Sequence, residues 1–297
     1  MSDILQQLSV GMAGAVETAG PSVVRVEARR RLPATGIVWS ADGLIVTANH
    51  IVRRDDKIKV GLAGGNTVEA ELVGRDPTTD LAVLRVKDAA LTPLKPADLD
   101  KVAVGNLVLA LGRPGRTVQA TLGIISALGD QWRTPHGGEL DRYLQTDVVM
   151  YPGFSGGPLL SANGELLGLN SSTLVNGLSL AVPAGTLARV VDTLATHGRV
   201  RRGYLGVSTQ QVALPAALRE QMGQKHGLLV VAVEPDSPAD KGGLLLGDTI
   251  VQFADQAVGD HQALLALLSG DRVGQESGVH VIRGGEVTKL KVVLGER

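Results

Sequence analysis

From Ser22 onward the chain is cut into short apolar runs closed by turn residues, and that punctuation limits the folds open to it. Gly36-Ile37-Val38-Trp39-Ser40 is followed by Ala41-Asp42-Gly43 and then by Leu44-Ile45-Val46-Thr47, the pattern of a hairpin turning on Asp-Gly. Further strands are expected at 22–26, 57–62, 67–74, 81–86, 107–111, 119–127, 159–160 and 165–170. Many short strands at this spacing read as an all-β barrel or sandwich. Aromatic residues make up only 2% of the chain, so its core must be built from Val, Leu, Ile and Ala, while 38 glycines supply the turns. Helical spacing appears at two places: Ile4, Leu8, Met12 and Ala15 within 4–19, and Leu187, Val190, Val191 and Leu194 within 184–196.

A chain of 297 residues holds one large domain or two of ordinary size. The second helical stretch is expected to close a first domain, residues 1–197. Residues 198–202 read as a linker, and a small mixed unit occupies 203–297. The formal net charge is −1, which gives no electrostatic case for nucleic acid or for an acidic membrane surface. Two basic clusters, Arg29-Arg30-Arg31 and Arg199 with Arg201-Arg202, are short and read as solvated loop charge. The absence of cysteine excludes disulfides and thiolate chemistry. Scattered histidines without a His-Glu-x-x-His or calcium-loop pattern predict no metal and no cofactor. No run reaches the roughly 18 apolar residues of a membrane span. The N-terminus lacks the basic start and apolar core of a signal peptide. As it stands the chain therefore reads as cytoplasmic, or as an envelope protein whose signal or anchor has been removed.

Three stretches carry chemistry. In Gly153-Phe154-Ser155-Gly156-Gly157-Pro158-Leu159, a serine between glycines sits where a backbone turns sharply enough to present a hydroxyl and amide hydrogens to one small volume. Acyl transfer asks for that arrangement, although a glycine-rich turn between strands has the same composition. Ile45-Val46-Thr47-Ala48-Asn49-His50-Ile51-Val52 ends an apolar run near a histidine, and Asp80 precedes the apolar run Leu81-Ala82-Val83-Leu84. A serine hydroxyl needs a neutral imidazole to take its proton, and the imidazole needs a carboxylate to fix its tautomer. Ser155 is accordingly expected to attack a carbonyl carbon, His50 to carry the proton, and Asp80 to orient His50. The N–H groups of Gly153 and Ser155 are expected to hold the oxyanion.

These blocks, with Gly74-Arg75-Asp76-Pro77-Thr78-Thr79-Asp80 and Leu144-Gln145-Thr146-Asp147, resemble the HtrA/Deg family of ATP-independent serine proteases. The resemblance implies a double six-stranded barrel, followed by a small α+β PDZ domain. Gly203-Tyr204-Leu205-Gly206-Val207 is similar to the family's carboxylate-binding loop, which assigns Tyr204, Leu205, Gly206 and Val207 to peptide C-termini. Ser237-Pro238-Ala239-Asp240 through Gly247-Asp248-Thr249-Ile250 is similar to the PDZ central signature. Unfolded polypeptides are the implied substrates, and a homotrimer is implied for the N-terminal region. Val149 stands six positions before the serine, where a trypsin-like fold selects its substrate side chain. With Leu178 it implies a shallow apolar pocket for Val, Ala or Leu. Ser171, Ser172 and Thr173 are expected to form the edge that binds the substrate backbone. The polar stretch 129–142 corresponds to a loop that carries a signal to the active site in the family. Where the family usually has Asn, this chain has Phe154.

Two other readings of the same residues remain. Gly-x-Ser-x-Gly also describes the nucleophile elbow of α/β-hydrolases, which requires a following helix and a later histidine; here β-like runs follow and His50 comes first. A binding module with a dormant serine site would use only the groove of the second unit.

Overall fold

In the computed structural model, residues 2–30, 32–87, 91–268 and 272–296 are described. The chain divides into two compact units, Met1–Val200 and Arg201–Arg297. The first contains two closed barrels. Strands β1 (Val23–Glu27), β2 (Ala34–Val38), β3 (Leu44–Ala48), β4 (Ile58–Gly61), β5 (Thr67–Asp76) and β6 (Leu81–Val86) close in the order β1-β2-β3-β6-β5-β4. The Asp42-Gly43 turn sets the β2–β3 register at Ile37 opposite Val46. Every residue of both strands is buried, which is why apolar residues run on without alternation at Ile37-Val38 and Leu44-Ile45-Val46. The second barrel begins with β7 (Leu107–Gly112) and β8 (Gln119–Gly129), after which β9 (Trp132–Arg133) and β10 (Glu139–Leu140) form a separate small hairpin. Strands β11 (Tyr143–Thr146), β12 (Pro158–Ser161), β13 (Leu166–Ser171) and β14 (Ser179–Pro183) complete the barrel, in the order β11-β14-β13-β12-β7-β8. Periodicity alone leaves barrel and sandwich open; the closing pairs β1–β4 and β8–β11 decide for barrels.

Helix α1 spans Ser2–Ala19. Its sequence stripe is covered only in part: Met12, Ala15, Val16 and Ala19 pack on the barrel core, whereas Ile4, Leu5, Leu8 and Val10 are exposed. Helix α2 (Ala184–His197) buries Leu187, Val190, Val191 and Leu194 and lies across β5, β6 and β13, joining the two barrels.

The second unit is a sheet in the order β16 (Val207–Ala213), β17 (His226–Val233), β18 (Thr249–Phe253), β20 (Glu276–Arg283), β21 (Glu286–Val293), with β19 (Gln256–Ala257) added to β18. The short pair β15 (Gly203–Tyr204) and β22 (Gly295–Glu296) brings the unit's two ends together. Helices α3 (Ala216–Met222), α4 (Pro238–Lys241) and α5 (His261–Leu267) accompany the sheet. Asp260 caps α5 by accepting the N–H of Ala263 at 2.8 Å. Leu205, Leu228, Val230, Leu244, Ile250, Phe253, Leu264, Val279 and Val281 form its core.

Candidate active site

Pairing of β3 with β6 sets Ala48 opposite Leu81, so the residues just beyond each strand end meet. His50 sits on the 3-10 turn Asn49–Ile51 that ends β3. Asp80 precedes β6 in a left-handed conformation, φ 58°, which Asp tolerates better than most side chains. The turn leading to it is shaped by Asp76, whose carboxylate accepts from the Thr78 N–H, the Thr78 hydroxyl and the Thr79 hydroxyl at 3.1, 2.7 and 2.8 Å.

The Asp80 carboxylate is buried and fully engaged. Oδ1 accepts the backbone N–H of His50 at 2.9 Å. Oδ2 faces His50 Nδ1 at 2.8 Å and accepts hydroxyl hydrogens from Ser171 at 2.5 Å and Thr173 at 3.1 Å. An ionised carboxylate only accepts, so the proton between the pair resides on Nδ1, and in the neutral form of the imidazole this tautomer leaves Nε2 free to accept a proton. Burial works to raise the Asp80 pKa, but the His50 hydrogen bond, the His50 charge and the Ser171 hydroxyl outweigh it. The carboxyl is held below its ordinary value.

Ser155 comes from the other barrel. Tyr151, Pro152, Gly153 and Phe154 form a turn closed by the Phe154 N–H on the Tyr151 carbonyl at 3.0 Å. Proline second and a left-handed glycine third, φ 96°, make it type II. The Ser155 hydroxyl lies 3.1 Å from the Ser172 hydroxyl. His50, Ser155, Ser172 and Gly153 line one cleft of about 470 Å³ together with Arg29, Leu32, Met150, Tyr151 and Pro152. The apolar surface of this cleft thus comes from Leu32, Met150 and Tyr151. Val149 and Leu178 lie outside its lining and are 55% and 36% exposed. The side chains of Ser171, Ser172 and Thr173 turn toward Asp80, Ser155 and His50, at the end of β13 and just past it. Of the first basic cluster, Arg29 reaches the cleft and Arg31 lies outside the described residues.

Thr35 on β2 carries no sequence signal, yet it links the barrels beside the serine. Its hydroxyl donates to the Gly153 carbonyl at 2.6 Å and accepts the Arg113 N–H at 2.8 Å, and its own N–H reaches the Ser155 carbonyl at 3.3 Å. Partners 118 residues apart in sequence leave nothing for local pattern reading to find.

In the second unit, the Tyr204 hydroxyl donates to Glu234. Buried Leu205 accepts the Ala239 N–H on its carbonyl at 2.8 Å, Gly206 accepts that of Glu234 at 2.9 Å, and Val207 opens the edge strand β16. The start of α5 lies along that strand, with His261 Nε2 2.8 Å from the Thr209 carbonyl. Among the described residues no group of His, Asp or Glu is arranged to hold a metal, and no helix is long and apolar enough to cross a membrane.

Residues 34–169 match the trypsin-like peptidase domain family and residues 203–294 the PDZ domain family. A probable periplasmic serine endoprotease DegP-like from Ectopseudomonas mendocina (strain ymp) is 38% identical over 267 residues, 88% of this chain and 56% of the relative. One of the same description from Chlamydia trachomatis serovar D is 34% identical over 276 residues, 91% of this chain and 55% of the relative. The chain therefore spans somewhat over half the length of the curated relatives it matches. Among solved structures, the HtrA-type protease AlgW with decapeptide superposes with a TM-score of 0.76 at 32% identity, covering 96% of this chain and 98% of that one. The serine endoprotease from Yersinia pestis gives 0.76 at 31% identity, with coverages of 96% and 98%. Two barrels, a following PDZ fold and likeness along nearly the whole chain have one reading: the chain belongs to the HtrA family of trypsin-like serine proteases that carry a PDZ domain.

Proposed function

We propose that the chain is an endopeptidase for unfolded polypeptides, with Ser155 as nucleophile, His50 as general base and acid, and Asp80 as the carboxylate that orients His50. The observation that carries this reading is the buried, fully hydrogen-bonded Asp80 behind His50, in the same cleft as Ser155. For the first step the Ser155 hydroxyl turns from Ser172 to His50 Nε2. The oxygen attacks the carbonyl carbon while Nε2 takes the proton, and the C=O electron pair moves onto the oxyanion beside the Gly153 and Ser155 amides. Collapse of this adduct expels the amine, which receives the proton from His50, and water then hydrolyses the acyl-serine by the same relay. Leu32, Met150 and Tyr151 give the cleft an apolar character suited to small aliphatic side chains. The edge of β16 beside Tyr204, Leu205, Gly206 and Val207 would take a peptide C-terminus as an added strand. Binding there would regulate cleavage, and AlgW, a relative in solved structures, was captured with a decapeptide. The exposed Ile4, Leu5, Leu8 and Val10 of α1 support self-association, and the homotrimer is the assembly that the family resemblance implies.

Casein cleavage by the parent and by Ser155→Ala tests the assignment, with and without a peptide ending in an apolar residue. Expected is Ser155-dependent cleavage, stimulated by the peptide, with a loss of several orders of magnitude in the variant. Equal rates for parent and variant would remove Ser155 from the mechanism. No cleavage by either, with the peptide still bound, would favour the binding-module reading.

A further inference from the structure

The turn that presents Ser155 is held from both barrels by Phe154 and Thr35, neither of which lines the cleft. Phe154, next to the serine, is completely buried among Val108, Ile125, Leu144, Val148 and Leu159 of the second barrel. Its ring lies directly over Gly112: a Cβ there would come within 2.5 Å of the ring, so β7 has made room for it. On its other side the ring meets Tyr151 edge-on, with centroids 5.8 Å apart, across the first and last residues of the turn. From the first barrel, buried Thr35 donates its hydroxyl proton to the Gly153 carbonyl at 2.6 Å while accepting the Arg113 N–H. Pro114 blocks the remaining direction, since a Cβ on Gly153 would approach it to 2.6 Å.

A four-residue turn can close as type I or type II, and the two differ by reversal of the central peptide. Here that peptide is Pro152–Gly153, and its orientation decides where the Gly153 N–H points. Fixing the Gly153 carbonyl on Thr35 and Phe154 in the core holds the C-terminal flank of the peptide, and the edge contact of the Phe154 ring with Tyr151 ties in the other, so the type II form is retained without help from a ligand. We infer that Thr35 and Phe154 are positioning residues that lock the Pro152–Gly153 peptide in its type II orientation and thereby preorganise the oxyanion donors. This rests on the assignment of Ser155 and the Gly153 amide proposed above.

Donors that act on charge developing in the transition state affect kcat and the affinity for a tetrahedral analogue, while leaving ground-state binding alone. The experiment measures kcat and KM for a short peptide substrate and Ki for a peptide boronate with a valine-like side chain, on folded parent, Thr35→Val, Thr35→Ser, Phe154→Asn and Phe154→Leu. Thr35→Val and Phe154→Asn should lower kcat on the order of 10- to 100-fold, with KM within about twofold and the boronate Ki raised by the same factor as kcat falls. Thr35→Ser, which keeps the hydroxyl, and Phe154→Leu, which keeps an apolar anchor, should recover most of the loss. A purely structural role would lower the melting temperature without this parallel change in Ki. Should Phe154→Asn fail to fold, the nearly isosteric Thr35→Val decides. A parent that neither turns over the peptide nor binds the boronate overturns the active-site reading and this inference with it. A parent that does both, matched in kcat and Ki by folded Thr35→Val, overturns this inference alone.

Discussion

At the scale of single residues, Asp80 shows how tightly the proposed chemistry is tied to burial. Its two oxygens accept four hydrogen bonds, two of them from His50. Asp80→Asn keeps the shape but adds an amide that donates where the site offers only donors: to His50 Nδ1, reversing the tautomer, and to the Ser171 and Thr173 hydroxyls. Peptide turnover should fall by on the order of 10⁴-fold, with the fold intact. The carboxyl also sets a sign for acid stability. Because its folded pKa lies below the ordinary value, its contribution is full above about pH 4 and is lost as pH falls through the folded value. Melting curves of the parent between roughly pH 5 and pH 3 should therefore fall more steeply than those of Asp80→Asn. Residue type and order alone make Ser155, His50 and Asp80 legible as candidates. Thr35 is not legible in that way, because a threonine in a β-run is ordinary until its partners are known.

Elements explain why the loop 129–142 matters to a carboxylate it does not touch. The buried Thr134 hydroxyl donates to the Thr78 carbonyl at 2.7 Å and accepts the Gly138 N–H at 3.0 Å. Gly138 in turn lies against the Thr78–Thr79 peptide, so that a Cβ would stand 2.8 Å from the Thr79 nitrogen. That peptide is the last but one before Asp80, and Asp76 holds its other side. Gly138→Ala should push the turn away and lower kcat roughly tenfold, since small displacements of an orienting group weigh heavily on rate. Thermal melts and peptide kinetics on one preparation check this: a lower melting temperature with unchanged kcat would make the loop a support only. Sequence patterning finds strands where apolar runs are long, as at β3 and β6, which are buried on nearly every residue. It passes over β9 and β10, two residues each, and β11 and β14, whose mixed residues pair only within the closed barrel. The second unit is legible as a unit but hardly as strands. The β16 run Val207–Ala213 alternates partly covered and exposed residues without a buried one, so its membership in a sheet shows only through pairing with β17.

At the scale of the whole molecule, each unit has its own buried core, and calorimetry should resolve separate transitions for them. Asp248 is the lever for the second. It is almost completely buried and accepts from Arg283 Nε and Nη2, both at 2.8 Å, and from the Leu245 N–H at 2.8 Å. Burial alone would raise its pKa, but the Arg283 and Leu245 hydrogen bonds and the Arg283 charge outweigh it, and the carboxyl lies below the ordinary value. Arg283→Met removes the cation and leaves a buried charge. Discounting for the partial exposure of Arg283, the loss should be about 2–3 kcal/mol, a fall of roughly 10 °C in the second unit's transition. The first unit's transition should stay in place. The pH dependence then discriminates this mechanism from simple loss of packing. In the parent, the Asp248 contribution fades on acidification. In Arg283→Met, burial without its counter-charge raises the folded pKa above the unfolded one, so the folded state binds the proton more tightly and acid becomes stabilising. Between about pH 6 and pH 4 the second transition of the variant should therefore rise as the pH is lowered, while that of the parent does not. A variant destabilised by the same amount with the parent's pH slope would assign the loss to packing of the arginine stem.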